Sequence, residues 1–470
     1  MNRILKVFVL FPVIIIIIII FFLPFICLCA PNIYAMGDMP PKKPNNNVRT
    51  FRIENPTPAP LTIQSCYQMA LKRSETIAIK REEIEKTEAD ILQAAGVAIG
   101  DGDFMITDFQ QDSPKGGGDG SFSSSFSAPE KRERKFVIKQ PLFQGFKSLG
   151  AVTGAGSLRK QRFEERIRAE QLLFLDVVRS FNETLLYKKD EKTIESILQA
   201  LKDRIKELEA REKIGRSRLS EVVTTKVSLK STEAELSRIR GALAIAEQIL
   251  EYLIGATVHV ESLREEKLEP EAIATLDDYL EQIEKRPDIK AQQQAVNTAK
   301  QAIVVAQSSL WPELSLENNQ YVHREQFQAG WDWDLLLKLN IPIFRGGDTI
   351  AKVKRSVSDW KEAKLTLSKV KRDAELDVKK AYLDWSTSRE RYEALNEAVK
   401  AAEENLKLQK EDYSRNLVNN LDVLSALRQL FDSQRAANEA FYQTKTNFWR
   451  LEVAIGKTLP TDSENSKSVE

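Results

Sequence analysis

Apolar residues recur at alternating steps of three and four along several long stretches of this chain, and at every second position along a few short ones. Leu236, Ile239, Leu243, Ala246, Leu250 and Leu253 form one such seam, the pattern of helices packed side by side. Ile194, Leu198, Leu201, Ile205 and Leu208 form another. Val378, Ala381, Trp385, Tyr392, Leu395, Val399, Ala402 and Leu406 form a third, interrupted at Ser388. The seams predict two long helices, from about Ser148 to Ile214 and from about Thr349 to Arg415, with returning helices from about Leu219 to Ile254 and from about Asn420 to Ile455. Neither long stretch contains proline, and glycine is confined to the beginning of the first. At 1.5 Å per residue each makes a rod on the order of 100 Å. Shorter helices are expected from about Leu61 to Ala98 and from about Ile273 to Leu310.

Period two is clearest from Trp331. The odd positions read Trp331, Trp333, Leu335, Leu337, Leu339, Ile341 and Ile343, and the even ones Asp332, Asp334, Leu336, Lys338 and Asn340. One apolar and one polar face suits a barrel strand between lipid and a wet lumen. Two tryptophans at one end suit an interfacial aromatic belt. Leu310, Pro312, Leu314 and Leu316 alternate with Glu313, Ser315 and Glu317 just upstream, and Phe136, Ile138 and Leu142 repeat the apolar part more weakly. Strands are expected at about 99–111, 130–144, 311–323 and 331–343. The Gly- and Ser-dense segment from Asp112 to Ala128 reads as an exposed loop.

The pattern is written twice. Pro141-Leu142-Phe143-Gln144-Gly145 returns as Pro342-Ile343-Phe344-Arg345-Gly346, a shift of 201. Leu175-Asp176-Val177, Gly215, Glu221 and Ile254-Gly255 return as Leu376-Asp377-Val378, Asn416, Asp422 and Ile455-Gly456 at the same shift. Upstream, Tyr67 pairs with Tyr279 and Ile77 with Ile289 at a shift of 212. The fold class expected is mainly α with a membrane β-barrel part. It is built as two tandem repeats (61–255 and 273–456), each helix-strand-strand-long helix-turn-helix, with tips at about 214–220 and 415–421 and an equatorial linker at 256–272. Four strands cannot close a barrel, and eight would leave an interior that side chains fill. Twelve, from three copies, would leave a duct.

Composition narrows the class. Apolar residues are 42% and charged residues 29%, a soluble balance. Beyond the first 35 residues no apolar run approaches the roughly 20 residues of a spanning helix. Arg3 and Lys6 ahead of the apolar run through Ile14–Ile20, with Ile33-Tyr34-Ala35 after it, read as an export signal at 1–35. A Pro-rich arm (36–60) and a polar tail (457–470) flank the repeats. Removing Arg3 and Lys6 from 69 basic residues leaves 67 against 68 acidic ones, so no basic excess points to nucleic acid. After cleavage only Cys66 remains, read as a small buried hydrophobe in a helix. His259 and His323 lie far apart, and no nucleophile motif, phosphate loop or cysteine pair is present. No enzyme, metal or cofactor is expected. The alternative is a periplasmic adaptor, which would have one hairpin flanked by small β-modules.

The order of these elements resembles the TolC-like outer-membrane efflux family from about Leu61 to Gly456. The residues that carry it are Leu61-Thr62-Ile63 with Ala70-Leu71, the two Pro-Φ-Phe-x-Gly strand exits, and the tips running from Ile214 to Val223 and from Asn416 to Leu424. The resemblance implies a homotrimer in the outer membrane of a diderm bacterium, with a twelve-stranded barrel in lipid and a twelve-helix tunnel in the periplasm. It implies an exit duct for small molecules or a secreted polypeptide. Its partners would be a periplasmic adaptor and, through it, an inner-membrane transporter. By the same resemblance the docking tips are Gly215, Leu219, Ser220, Glu221, Val222, Asn416, Leu421, Val423 and Leu424, and the gate candidates are Asp422 and Tyr413. Val418 stands where the best-known member has a gate arginine, and Ser425 where it has a second acid.

Overall fold

The computed structural model describes residues 60–110, 130–265, 275–325 and 330–457. The expected leader, the arm up to residue 59, the 112–128 loop, part of the linker and the tail beyond 457 lie outside the described residues.

Helix α1 (Ile63–Arg73) starts at a capping box, in which Thr62 Oγ1 accepts from Ser65 N–H and Ser65 Oγ accepts from Thr62 N–H. Ser74 then leaves the helix with extended backbone and caps α2 (Glu75–Ile99), its hydroxyl accepting from Ile77 N–H. The single helix expected over 61–98 is therefore two. Its counterpart is more broken: α5 (Leu276–Leu280), a 3-10 turn (Ile283–Lys285) and α6 (Pro287–Ser308). Pro287 has no N–H to give to the preceding turn and sits at the start of α6, while Arg286 before it is held in extended backbone.

Four strands follow the short helices in pairs: β1 (Asp101–Gln110), β2 (Glu130–Gln144), β3 (Glu313–Arg324) and β4 (Trp333–Asn340). Trp331 and Ile341 lie just outside β4. The sheet is antiparallel in the order β1-β2-β3-β4. Directly opposite residues share a face, so Phe104, Phe136, Gln320 and Trp333 form one row and Gly102, Ile138, Asn318 and Leu335 the next. Leu337 and Leu339 continue that face opposite Leu316 and Leu314. The other face carries the rows Asp103–Val137–Asn319–Asp334 and Asp101–Lys139–Glu317–Leu336. The first face is exposed and largely apolar; Phe104, Phe136, Ile138, Trp333, Leu335, Leu337 and Leu339 all lie open. Among the described residues, β1 and β4 each pair on one side only.

Helices α3 (Lys147–Lys213) and α7 (Asp348–Ser414) have 67 residues each. They return as α4 (Leu219–Ile254) and α8 (Asn420–Ala454). Gly150 and Gly154 at the beginning of α3 let α6 approach: a Cβ on Gly150 would stand 3.1 Å from Val305 Cγ2. The neighbours run α7, α8, α3, α4. One core joins α1, α3 and α4 around Cys66, Phe174, Phe181, Leu250 and Ile254. Burial and the loss of hydration push the Cys66 thiol up to about 11, which suits an inert core residue. A second core lies at the hairpin tips, and a third joins Tyr279, Val378, Trp385 and Leu451. Ser388, which interrupts the α7 seam, is buried with its hydroxyl donating to Trp385 O at 2.9 Å. The molecule is thus mostly helical with a small sheet. Among the described residues no helix is long and apolar enough to cross a membrane.

Candidate functional site: the paired hairpin tips

Both long helices end the same way. Gly215 N–H donates to Glu212 O and Arg216 N–H to Arg211 O; Asn416 N–H donates to Tyr413 O and Leu417 N–H to Asp412 O, each near 2.8–3.0 Å. This pair of bonds requires a left-handed residue after the last helical turn, and Gly215 (φ 73°) and Asn416 (φ 60°) supply it. The two returning helices start differently. Arg218 offers α4 no side-chain cap. Asn419 Oδ1 accepts from Leu421 and Asp422 N–H, while Asp422 Oδ2 accepts from Asn419 N–H at 3.0 Å, a closed capping box on α8. Asp422 is half-buried and engaged in this cap, so it is not an isolated surface acid.

Beneath the turns the two hairpins are stitched by one polar cluster. The Arg204 side chain, only 8% exposed, donates from Nε to Asn420 Oδ1 at 3.0 Å and from Nη1 to Glu207 Oε2 at 2.7 Å. Its guanidinium lies 3.8 Å from the centre of the Tyr413 ring, and that of Arg211 lies 4.7 Å away. Tyr413 Oη donates to Glu221 Oε2 at 3.3 Å, and Ser217 Oγ donates to the same oxygen. Asn420 Nδ2 donates to Thr225 Oγ1 at 3.0 Å. Residues of α3, α4, α7 and α8 therefore meet around one stacked guanidinium, in a place where desolvation strengthens each contact. Arg204, Arg211, Thr225 and Asn420 were not expected from the sequence. Only their steric and charge complementarity across a distance of about 200 residues marks them, and no local motif carries that.

The expected tip residues divide by exposure. Leu219, Ser220, Gly215, Asn416 and Leu421 are exposed, and Glu221 is half-buried. Val222, Val423, Leu424 and Tyr413 are buried in the tip core, so within this chain they hold the tips together. Ile214, Val223 and Leu417, which the sequence reading did not single out as contact residues, are more than half exposed and apolar. With Leu219 and Leu421 they make the tips' outward surface. Of the strand residues, Trp331, Trp333, Leu335, Leu337, Leu339 and Ile341 are all exposed. Among the described residues no group of acids, histidines or cysteines could hold a metal.

Residues 279–457 match the family described as outer membrane efflux protein. Cation efflux system protein CusC of Escherichia coli strain K12 is 24% identical over 73% of this chain and 77% of its own. Alkaline protease secretion protein AprF of Pseudomonas aeruginosa is 19% identical over 70% of each chain. Among solved structures, the Vibrio cholerae outer membrane protein VceC superposes with a TM-score of 0.73 at 19% identity, covering 84% of this chain and 96% of its own. CusC gives 0.73 at 18%, covering 84% and 92%. The chain is thus similar to outer membrane efflux proteins in sequence over residues 279–457 and in fold over most of its length. The proteins it resembles are named for outer-membrane efflux and for secretion.

Proposed function

We propose that the chain is one protomer of a homotrimeric exit duct that carries small molecules or a secreted polypeptide from a periplasmic adaptor and inner-membrane pump to the cell exterior. The observation that carries this reading is the four-stranded sheet, largely apolar on one exposed face and ended on both sides by strands that, among the described residues, have a free edge. Free edges attract further strands, and closure into a barrel removes them. Three sheets joined edge to edge give twelve strands and a polar lumen; two would give eight and a filled one. The four helices α3, α4, α7 and α8 of each of three copies then supply twelve helices as a periplasmic tunnel.

The helices support the same closure. α4 and α7 flank the four neighbouring helices, and each presents an exposed apolar stripe: Ile245, Ile249 and Tyr252 on α4, Leu365, Leu376 and Leu383 on α7. Two different complementary surfaces at opposite ends of one row form a ring when the rotation closes. The tips, with Ile214, Leu219, Val223, Leu417 and Leu421 outward, are the surface for an adaptor's helical hairpin. Tyr413 and Asp422 beside them belong to the entrance gate. The arginines that embrace Tyr413 come from α3, which suits a chain with Val418 in place of a tip arginine. CusC is named for cation efflux and AprF for protease secretion, so the duct form serves different cargo and selection falls to the pump.

The test is purification in mild detergent followed by insertion into a planar bilayer. A particle of three chains that conducts ions is the expected result. A monomer released from membranes by salt alone sinks the reading.

A further inference from the structure

The polar face of the sheet is not a bare wall. Near the outward ends of β2, β3 and β4 its side chains form one connected layer. Glu133 Oε1 pairs with Arg324 Nε at 3.2 Å, and each side chain is 10% exposed. The Arg324 guanidinium lies 4.1 Å from the centre of the Tyr321 ring, and Lys135 Nζ, on the residue paired directly with Tyr321, lies 5.6 Å from it. Tyr321 Oη donates to Asp334 Oδ2 at 2.7 Å. Asn319 Nδ2 donates to the other oxygen, Oδ1, at 2.8 Å. Val137 lies under this layer at 2% exposure, and Asn319 is buried with an unpartnered Oδ1.

Two features stand out. The tyrosine is held at three places, by a carboxylate at its hydroxyl and by two cations against its ring, and so lies along the wall instead of projecting from it. In this layer Glu133 and Asp334 stand against Lys135 and Arg324, and Asp103, in the same row as Asp334, adds a further acid. We propose that this layer is a tethered collar inside the exit: Asp334 pins Tyr321 flat, and three copies set both the clear width and the fixed charge of the outer part of the duct. The collar rests on the exit-duct reading, which places this face toward the lumen. It assigns Asp334 and Tyr321 as positioning residues for conduction, remote from the tips where opening is controlled.

Three variants reconstituted as single channels test it. Tyr321→Phe keeps the ring and removes its tether, so brief closures become more frequent at unchanged expression and trimer yield. Tyr321→Ala removes the ring itself, so conductance rises and the added closures are absent. Asp334→Asn removes one negative charge per copy in a confined space, so the cation-to-anion permeability ratio falls by about twofold or more. That opposite response of Phe and Ala is not produced by general loosening of the sheet. Wild-type channels with all three variants indistinguishable from them overturn the collar while leaving the duct intact. A wild type that forms no channel overturns the duct reading and the collar together.

Discussion

At the scale of single residues, the sequence showed where the chain turns but not what holds the turns together. Gly215 and Asn416 were legible because each is the type that tolerates a left-handed backbone, and both take it. Asp422 was legible as an acid next to a turn, yet its bond to Asn419 N–H gives it a second role that charge alone does not reveal. The two roles separate on substitution. Asp422→Ala removes the cap and the charge, and costs about 1 kcal/mol, the usual worth of a helix cap. Asp422→Asn keeps an acceptor for the cap and removes only the charge, so thermal stability stays near wild type. If three carboxylates line the entrance, multivalent cations block the channel from the tip side, and both variants lose that block. Unfolding curves beside single-channel recordings settle the point. Block persisting in Asp422→Asn would leave Asp422 as a capping residue only.

At the scale of elements, the long rods were legible because a seam sustained over 67 residues outweighs local irregularity, whereas the short helices were not. The segment expected as one helix over 273–310 breaks at Arg286-Pro287, and the break builds a junction. Arg286, 1% exposed, donates from Nε and Nη2 to the two oxygens of Asp288 at 3.0 and 2.7 Å. Its Nη1 donates to Ala454 O at 2.9 Å, placing a cation on the carbonyl end of α8, where the helix dipole favours it. Burial raises the Asp288 carboxyl, but hydrogen bonds from Arg286 and the charges of Arg286 and Arg168 outweigh it and hold the group below the ordinary carboxylate range. A depressed folded pKa means that the unfolded chain takes up the proton first as pH falls. This contribution to stability is therefore complete above the ordinary aspartate value of about 4 and is lost as the pH falls through the lower folded value. Asp288→Asn is expected to lower stability at neutral pH by roughly 2–4 kcal/mol, less than a fully enclosed pair because Asp288 keeps some exposure and Asp377 remains nearby. The variant's melting temperature then falls less steeply than the wild type's below about pH 4. Parallel acid limbs would mean that the junction draws its strength from packing.

At the scale of the whole molecule, the order of elements was legible from periodicity and repetition, while the registry between strands was not, because no single strand encodes its neighbour. β4 shows why the distinction matters. Its odd positions read as apolar from the sequence, but only pairing with β3 sets Leu337 beside Leu316, and only pairing of β3 with β2 extends that face toward Ile138 and Phe136. Exposed apolar residues recur on this face of β1, β2 and β4, with Gln320 and Asn318 between them on β3. In the proposed duct this face would meet lipid, and the neighbouring residue Lys338, opposite Ser315, would meet the lumen. Leu337→Arg places a charge in hydrocarbon near mid-strand, at a cost of about 2–4 kcal/mol for each copy. Three copies multiply that cost, so the yield of membrane-inserted trimer falls sharply. Lys338→Arg keeps a solvated cation and is neutral to assembly. Both substitutions leave a cation on the same strand one residue apart, so the contrast reads which face meets lipid and is insensitive to strand propensity. Quantifying trimer in outer-membrane fractions makes the comparison. Equal yields for Leu337→Arg and Lys338→Arg would place this sheet outside the bilayer and leave the exposed leucines to be covered by protein.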